Sequence, residues 1–312
     1  MDAFVAKFLA LDRVPKLLPR DIVGTVDLQL ELLRKTLSRA TVKLYPLPTC
    51  HVVNLLEAIV RSCEKTEVAE EVYERLATNL QHSPSEAPEF GLFTIGDHDI
   101  VFQVHGDSSA FVQNGSTGFI FWEAGKCLSW FAGTLLTGSS GMRILELGCG
   151  TGVTGMVVAA RVEDAKYTFT DYHEATLKQA RDNWALNHFT AQASFEHLDI
   201  LDATCIVETD FIFGADILYS EELCKGLVSF LDRTDIKFEA AYIMTTIRTE
   251  STYAVFLDAL KESSNLSFES VTRRSMSQWI AATGPGSDWR YFLDSSTMLF
   301  DPEIELVRIV KK

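Results

Sequence analysis

Long apolar runs, paired cysteines and positive charge are all scarce in this 312-residue sequence. No apolar stretch approaches the roughly 20 residues that span a bilayer, so no membrane partner is expected. The opening residues include Asp2 and Lys7 and lack the apolar core of a secretory leader. The 6 cysteines are scattered, with no Cys-x-x-Cys pair. That spacing argues against a disulfide framework or a zinc knuckle and fits a reducing, cytoplasmic setting. His173, His188 and His197 lack ligand spacing with one another, so no metal is expected. Lys and Arg number 28 against 43 Asp and Glu, a formal net charge of −15. Such a surface repels nucleic-acid phosphate and suits a basic, lysine-bearing protein partner.

The charge is unevenly distributed. Residues 1–85 carry 11 basic and 11 acidic side chains, whereas residues 86–312 carry 17 and 32 and so hold the whole imbalance. The neutral part reads as a helical N-terminal domain. Apolar residues recur at helical spacing as Ile22, Val26, Leu30, Leu33 and Leu37, as Val52, Leu55, Leu56, Ile59, Val60 and Cys63, and as Val68, Val72, Leu76 and Leu80. Pro46 and Pro48 separate the first two helices, and His82–Pro88 has the composition of a linker. Leu92–Ile95 and Ile100–Val104 flank Gly96-Asp97, which predicts a small β-hairpin. Phe111–Gln113 reads as a further short strand, and Phe119–Ala124 leads into a helix.

The second domain is expected over 90–312. From Arg143 on, strands at 143–147, 166–170, 193–198, 210–215 and 240–246, and near 267–273 and 304–310, alternate with helices near 153–162, 173–187, 221–232 and 251–263. Such alternation predicts an α/β fold, a Rossmann-like, mostly parallel sheet with helices on both faces. Ligands of such sheets sit at the carboxyl ends of the strands, beside the switch in strand order.

The chemistry-bearing residues fall at those ends. Residues 144–155 read Ile-Leu-Glu-Leu-Gly-Cys-Gly-Thr-Gly-Val-Thr-Gly, a strand, a glycine-rich turn and the start of a helix. Gly148 and Gly150 allow close backbone approach to a ligand, and the helix start turns unpaired amides toward it. Gly150–Gly155 also satisfies the dinucleotide pattern G-x-G-x-x-G, with Asp171 suitably placed for a ribose. Glu146 inside the strand end breaks the tie. It would repel a pyrophosphate but favour the sulfonium and ammonium of S-adenosylmethionine.

Leu145–Gly155, Asp171 and Gly214-Ala-Asp-Ile-Leu-Tyr219 together resemble the motifs of class I, seven-β-strand methyltransferases that use S-adenosylmethionine. Asp216-x-x-Tyr219 resembles the protein-lysine branch. Gly115-Ser-Thr-Gly-Phe-Ile-Phe-Trp-Glu-Ala124 and Thr245–Glu250 are similar to segments of the elongation factor 2 lysine methyltransferase family. The resemblance implies a cytoplasmic, monomeric enzyme acting on that protein. Asp216 would position the amine with the Ala215 carbonyl, and Tyr219 would line the channel. The cofactor would be held by the Gly148-Cys149-Gly150 backbone, with Asp171 on the ribose hydroxyls, Asp199 and Ile200 flanking the adenine, Trp122 covering it and Glu146 beside the loop. Glu123 would cap a helix or reach the cofactor amine. Ile200 stands where relatives usually carry a Trp. Two other readings remain open at this point: a methyltransferase of another protein or small-molecule amine, and a non-catalytic cofactor-binding scaffold.

Overall fold

Residues 1–81, 88–104, 117–202, 207–284, 287–294 and 301–312 are described by a computed structural model. The chain divides into two compact units, Met1–Ser108 with Asp294–Thr297 and Ser109–Leu293 with Met298–Lys312. The expected strand at 111–113 and most of the linker at 82–88 lie outside the described residues.

The first unit is built from helices α1 (Asp2–Leu9), α2 (Arg20–Val23), α3 (Val26–Lys35), α4 (Ala40–Leu44), α5 (Thr49–Ser62) and α6 (Glu70–Gln81), followed by a hairpin of β1 (Glu89–Ile95) and β2 (His98–Val104). The hairpin turns at Gly96-Asp97, with Ile95 paired to His98. The sequence division at 85–90 puts this hairpin with the sheet region; by chain contacts it groups with the helices. The core is made of Leu32, Leu33, Leu55, Leu56 and Ile59, all fully buried. The stripe through Val26 and Leu30 does not face that core: Leu30 is exposed, and buried Gln29 takes the inward position. The Gln29 amide donates to the Val23 and Glu67 carbonyls, both at 3.0 Å, and its oxygen accepts the Ala69 N–H at 2.8 Å. A fully satisfied amide tolerates burial, and a hydrophobic count cannot see it.

The second unit opens with α7 (Glu123–Leu135), then alternates: β3 (Arg143–Leu147), α8 (Val153–Ala159), β4 (Lys166–Asp171), α9 (Glu174–Leu186), β5 (Gln192–His197), the short β6 (Val207–Glu208), β7 (Phe211–Ala215), α10 (Glu221–Asp232), the short β8 (Ile236–Lys237), β9 (Ala240–Thr246) and α11 (Glu250–Glu262). It closes with β10 (Leu266–Ser275), α12 (Met276–Ala282), α13 (Asp288–Asp294) and β11 (Glu303–Lys311). The seven-stranded sheet has the order β10-β11-β9-β7-β3-β4-β5. The five strands from β9 to β5 are parallel, and β11 inserts antiparallel between β9 and β10. All seven residues of β9 are buried, as expected for a central parallel strand covered on both faces. Leu145, Leu147, Ile212 and Ile243 pack against Leu227, Leu231, Phe256 and Leu260 of α10 and α11. On the opposite face, the Phe131 ring of α7 lies 5.1 Å from that of Tyr242.

Strand order reverses between β7 and β3, so the crevice of this sheet opens at their carboxyl ends. Trp279 lies in α12, buried and edge-on to Trp130. No helix among the described residues is long and apolar enough to cross a membrane.

Helix α8 lies so close to β4 that a Cβ on Gly155 would sit 2.3 Å from the Phe169 ring and 2.6 Å from that of Tyr167. Gly155→Ala is therefore expected to destabilise the second unit by about 1–3 kcal/mol, read as a lower midpoint in urea unfolding.

Candidate active site

The turn after β3 runs through Gly148, Gly150 and Gly152 at φ of +62°, +55° and +80°. A side chain at Gly150 would be strained by that φ, and its Cβ would also lie 2.9 Å from the Gly118 carbonyl. The glycines thus serve internal packing as well as ligand approach. The turn is tied down by its neighbours. Cys149 N–H donates to the Thr170 carbonyl at 2.8 Å, and the Asn183 side chain donates to the Thr151 carbonyl at 2.9 Å. Gly150 N–H donates to Asp171 Oδ2 at 3.0 Å, while Asp171 Oδ1 accepts the His173 N–H at 2.9 Å. Burial pushes the Asp171 carboxyl up, and these two amides oppose that shift. Burial likewise raises the Cys149 thiol, which leaves it no thiolate character at neutral pH.

Glu146 points into the layer between β3 and α8 and is almost fully buried. Tyr167 Oη donates to Glu146 Oε2 at 2.9 Å. Burial pushes its carboxyl up to about 8, against hydrogen bonds from Tyr167, Thr154 and the Gly155 amide. At neutral pH it is largely protonated, so it does not present the full negative charge that the contrast with a pyrophosphate assumes. It is a structural tie between strand, turn and helix as well as part of the wall.

Asp216 follows β7 at φ +53°, an uncommon backbone conformation for a residue other than glycine. Its carboxylate is almost fully buried. Thr246 N–H donates to Oδ1 at 2.7 Å and Thr246 Oγ1 to Oδ2 at 3.0 Å. Arg248 Nη2 donates to Oδ2 at 3.3 Å. Burial raises the Asp216 carboxyl, and the Arg248 charge is the chief opposing influence. Asp216 does not cap α10; Ser220 does, accepting the Leu223 N–H at 3.2 Å.

Trp122 is the N-cap residue of α7, and its Nε1 donates to the Thr117 carbonyl at 3.2 Å. The Arg248 guanidinium stacks on it, 5.0 Å from ring centre to Cζ. Glu123 is buried in the first turn of α7. Asp199 Oδ1 accepts the Leu201 N–H at 2.9 Å, a turn after β5.

One cavity of about 440 Å³ brings these positions together. Trp122, Glu146, Gly148, Cys149, Gly150, Asp171, Asp199, Ile200, Ala215, Asp216 and Tyr219 all line it. Gly115 and Ser116 lie outside the described residues. Tyr172, Tyr219 and Leu201 combine a place on this wall with substantial exposure, so they form its rim. No Lys, Arg or His lines it among the described residues, while Glu146, Asp171, Asp199, Asp216 and Glu222 do. A second cavity of about 180 Å³ shares Tyr219 with the first and is lined by Thr245, Thr246, Arg248 and Thr249. Thr246, Arg248 and Tyr172 were not singled out by residue type or spacing. Only the Thr245–Glu250 resemblance touches the first two, and only adjacency to Asp171 marks the third.

Strand order and glycine turn together define a Rossmann-like sheet of the class I methyltransferase kind. A lysine methyltransferase family profile matches residues 110–263, the stretch from ahead of Trp122 to the end of α11. The bovine protein-lysine N-methyltransferase EEF2KMT (Bos taurus) is 27% identical over 77% of this chain and 79% of its own length. The human EEF2KMT (Homo sapiens) is 26% identical over 75% and 77%. By this profile and these relatives the chain resembles the EEF2KMT lysine methyltransferases. Among solved structures, the Pyrococcus abyssi tRNA (uracil-54, C5)-methyltransferase in complex with S-adenosyl-L-homocysteine is 17% identical, covers 71% of this chain and 44% of that chain, and has a TM-score of 0.42. The fold stands on its strand order, not on that likeness.

Glu146 binds its proton more tightly in the folded chain, at about 8, than at its ordinary 4.5. The native state then holds more protons than the unfolded state across that window, so stability falls as pH rises from about 4.5 to about 8. Glu146→Gln is expected to lack this loss. In urea unfolding its stability relative to wild type should improve between about pH 5 and about pH 8, by a few kcal/mol at most.

Proposed function

We propose that this chain transfers methyl groups from S-adenosylmethionine to a lysine ε-amine on a protein, and that the protein is elongation factor 2. The observation that carries the reading is the meeting, on one cavity, of the glycine turn and Asp171 with Asp216 and Tyr219. The cavity's chemistry suits the cofactor. Among the described residues it offers no cation for a pyrophosphate, whereas its acidic side chains suit a sulfonium and an ammonium. An ionised carboxylate has about four acceptor positions. Asp171 uses two of them on backbone amides, which leaves room for ribose hydroxyls. Leu198 and Ile200 supply apolar surface for the adenine.

When bound, S-adenosylmethionine supplies an electrophilic methyl group on its sulfonium. The protein has to deliver a neutral, oriented amine to it. Deprotonating a free lysine near pH 7 costs roughly 4–5 kcal/mol, and burial of the amine lowers that demand. Tyr219, on the rim shared by both cavities, would line the entry for the aliphatic stem. Thr246 and Arg248 occupy three acceptor positions of Asp216, leaving Oδ1 one more for an amine N–H, with the Ala215 carbonyl beside it. Fixing the lone pair in this way supplies orientation rather than proton abstraction. The exposed rim of Tyr172, Tyr219 and Leu201 suits a peptide segment, and the acidic surface suits its basic residues. The similarity to EEF2KMT supports a protein lysine as acceptor, and elongation factor 2 is the substrate the family resemblance implies. That substrate implies a cytoplasmic location.

Calorimetry should register S-adenosylmethionine binding to the purified chain, and labelled cofactor should pass its methyl to elongation factor 2. Asp171→Ala is expected to weaken binding about 10–100-fold, the loss of a hydrogen-bonded charge. Absence of binding by the wild type would overturn the reading, and binding with a different labelled acceptor would overturn the substrate.

A further inference from the structure

Arg248 lies two residues beyond β9 and reaches two groups that arrive from different elements. Its Nη2 donates to Asp216 Oδ2 at 3.3 Å, and its Cζ lies 5.0 Å from the Trp122 ring centre. Asp216 follows β7 and Trp122 precedes α7, yet both line the larger cavity. Arg248 lines the smaller one beside it. One guanidinium therefore joins two walls of a cavity that it does not itself line.

We propose that Arg248 is the positioning residue of the transfer site: it holds the Asp216 carboxylate and the Trp122 ring in fixed relation while touching neither reactant. The inference rests on the methyl-transfer reading of the larger cavity. A buried carboxylate requires compensation. Thr246 N–H and Oγ1 donate to Asp216 but bring no charge. Cys127, on α7, also senses the Asp216 charge, but burial keeps its thiol neutral. The countercharge comes from Arg248. A planar guanidinium can donate in its plane while stacking through its face, whereas a lysine ammonium offers a point charge without that plane. The side chain is partly exposed, at 43%, so its anchors are these two contacts rather than a packed core. Asp216 also sits at positive φ. Its orientation is thus set by an uncommon backbone conformation and by an external partner together.

The test uses the full chain with S-adenosylmethionine and elongation factor 2, comparing wild type, Arg248→Gln and Arg248→Lys. Arg248→Gln should lower kcat about tenfold or more, the loss of a charged hydrogen-bond partner. KM for the protein substrate should stay within about threefold, because the lost contact orients rather than binds. The acidic limb of its kcat–pH profile should move to higher pH, since the Asp216 carboxyl loses the charge that favours ionisation. Arg248→Lys should restore that limb. Both variants should change tryptophan emission, and the change should vanish in a Trp122→Phe background. Arg248→Gln with unaltered kcat, pH limb and emission overturns the inference. So does a loss of kcat that follows a lowered melting temperature with the limb unmoved, or a Lys variant whose limb stays with that of Gln. A wild type that binds no S-adenosylmethionine overturns the methyl-transfer reading itself; the Arg248 outcomes are judged against an active wild type, so the two failures are distinct.

Discussion

The hydrogen bond from Gly150 N–H to Asp171 Oδ2, 3.0 Å long, joins the turn after β3 to the end of β4. Much of the carboxyl edge of the sheet is arranged around it. A turn that visits positive φ three times within five residues has lost the local preferences that would fix its course, because glycine samples both signs of φ readily. It is therefore fixed from outside, by Asp171, by the Thr170 carbonyl and by Asn183 of α9. The acid that meets the turn is held by the turn's own amide, so the two cannot be positioned separately. Its partly raised proton affinity reflects burial that two amides only partly offset.

Three of the acids that line this cavity meet burial with different solutions. Asp171 takes backbone amides. Asp216 takes a threonine and a guanidinium, which keep a charge near the crevice without a basic residue on its wall. Glu146 has neutral donors only and is pushed up to about 8. The site thus contains one carboxyl group whose charge depends on what enters, beside two that are held by dedicated partners. A cationic ligand would favour ionisation of all three, and a phosphate would meet no cation among the described residues of the wall.

The legible part of the fold was the part written in short-range pattern. In the second unit, strands β3, β4, β5, β7 and β9 lie within one residue of the positions that the alternation of strand and helix patterns predicts. The first unit was less legible. Its first apparent stripe spans two helices, α2 and α3, and it counts Leu30 where buried Gln29 does the packing. No hydrophobic periodicity can anticipate a buried amide satisfied by two carbonyls and a backbone N–H from other parts of the chain. The glycines and aspartates proposed for the site stand out because they fall at strand ends, and Tyr219 through the Asp216-x-x-Tyr219 resemblance. Arg248 and Thr246 escaped because a threonine and an arginine after a strand are ordinary until their partner is known.

What the sequence determined by itself was the alternation of strands and helices, the conformational permission given by Gly148, Gly150 and Gly152, and the placing of acids at successive strand ends. These depend on neighbours in the chain, where sterics and period decide. Only the tertiary structure decided the charge state of Glu146, the orientation of Asp216 and the stacking of Arg248 on Trp122. Each depends on groups far apart in sequence. Burial and countercharge act through space, and strand order rather than chain order sets who is near.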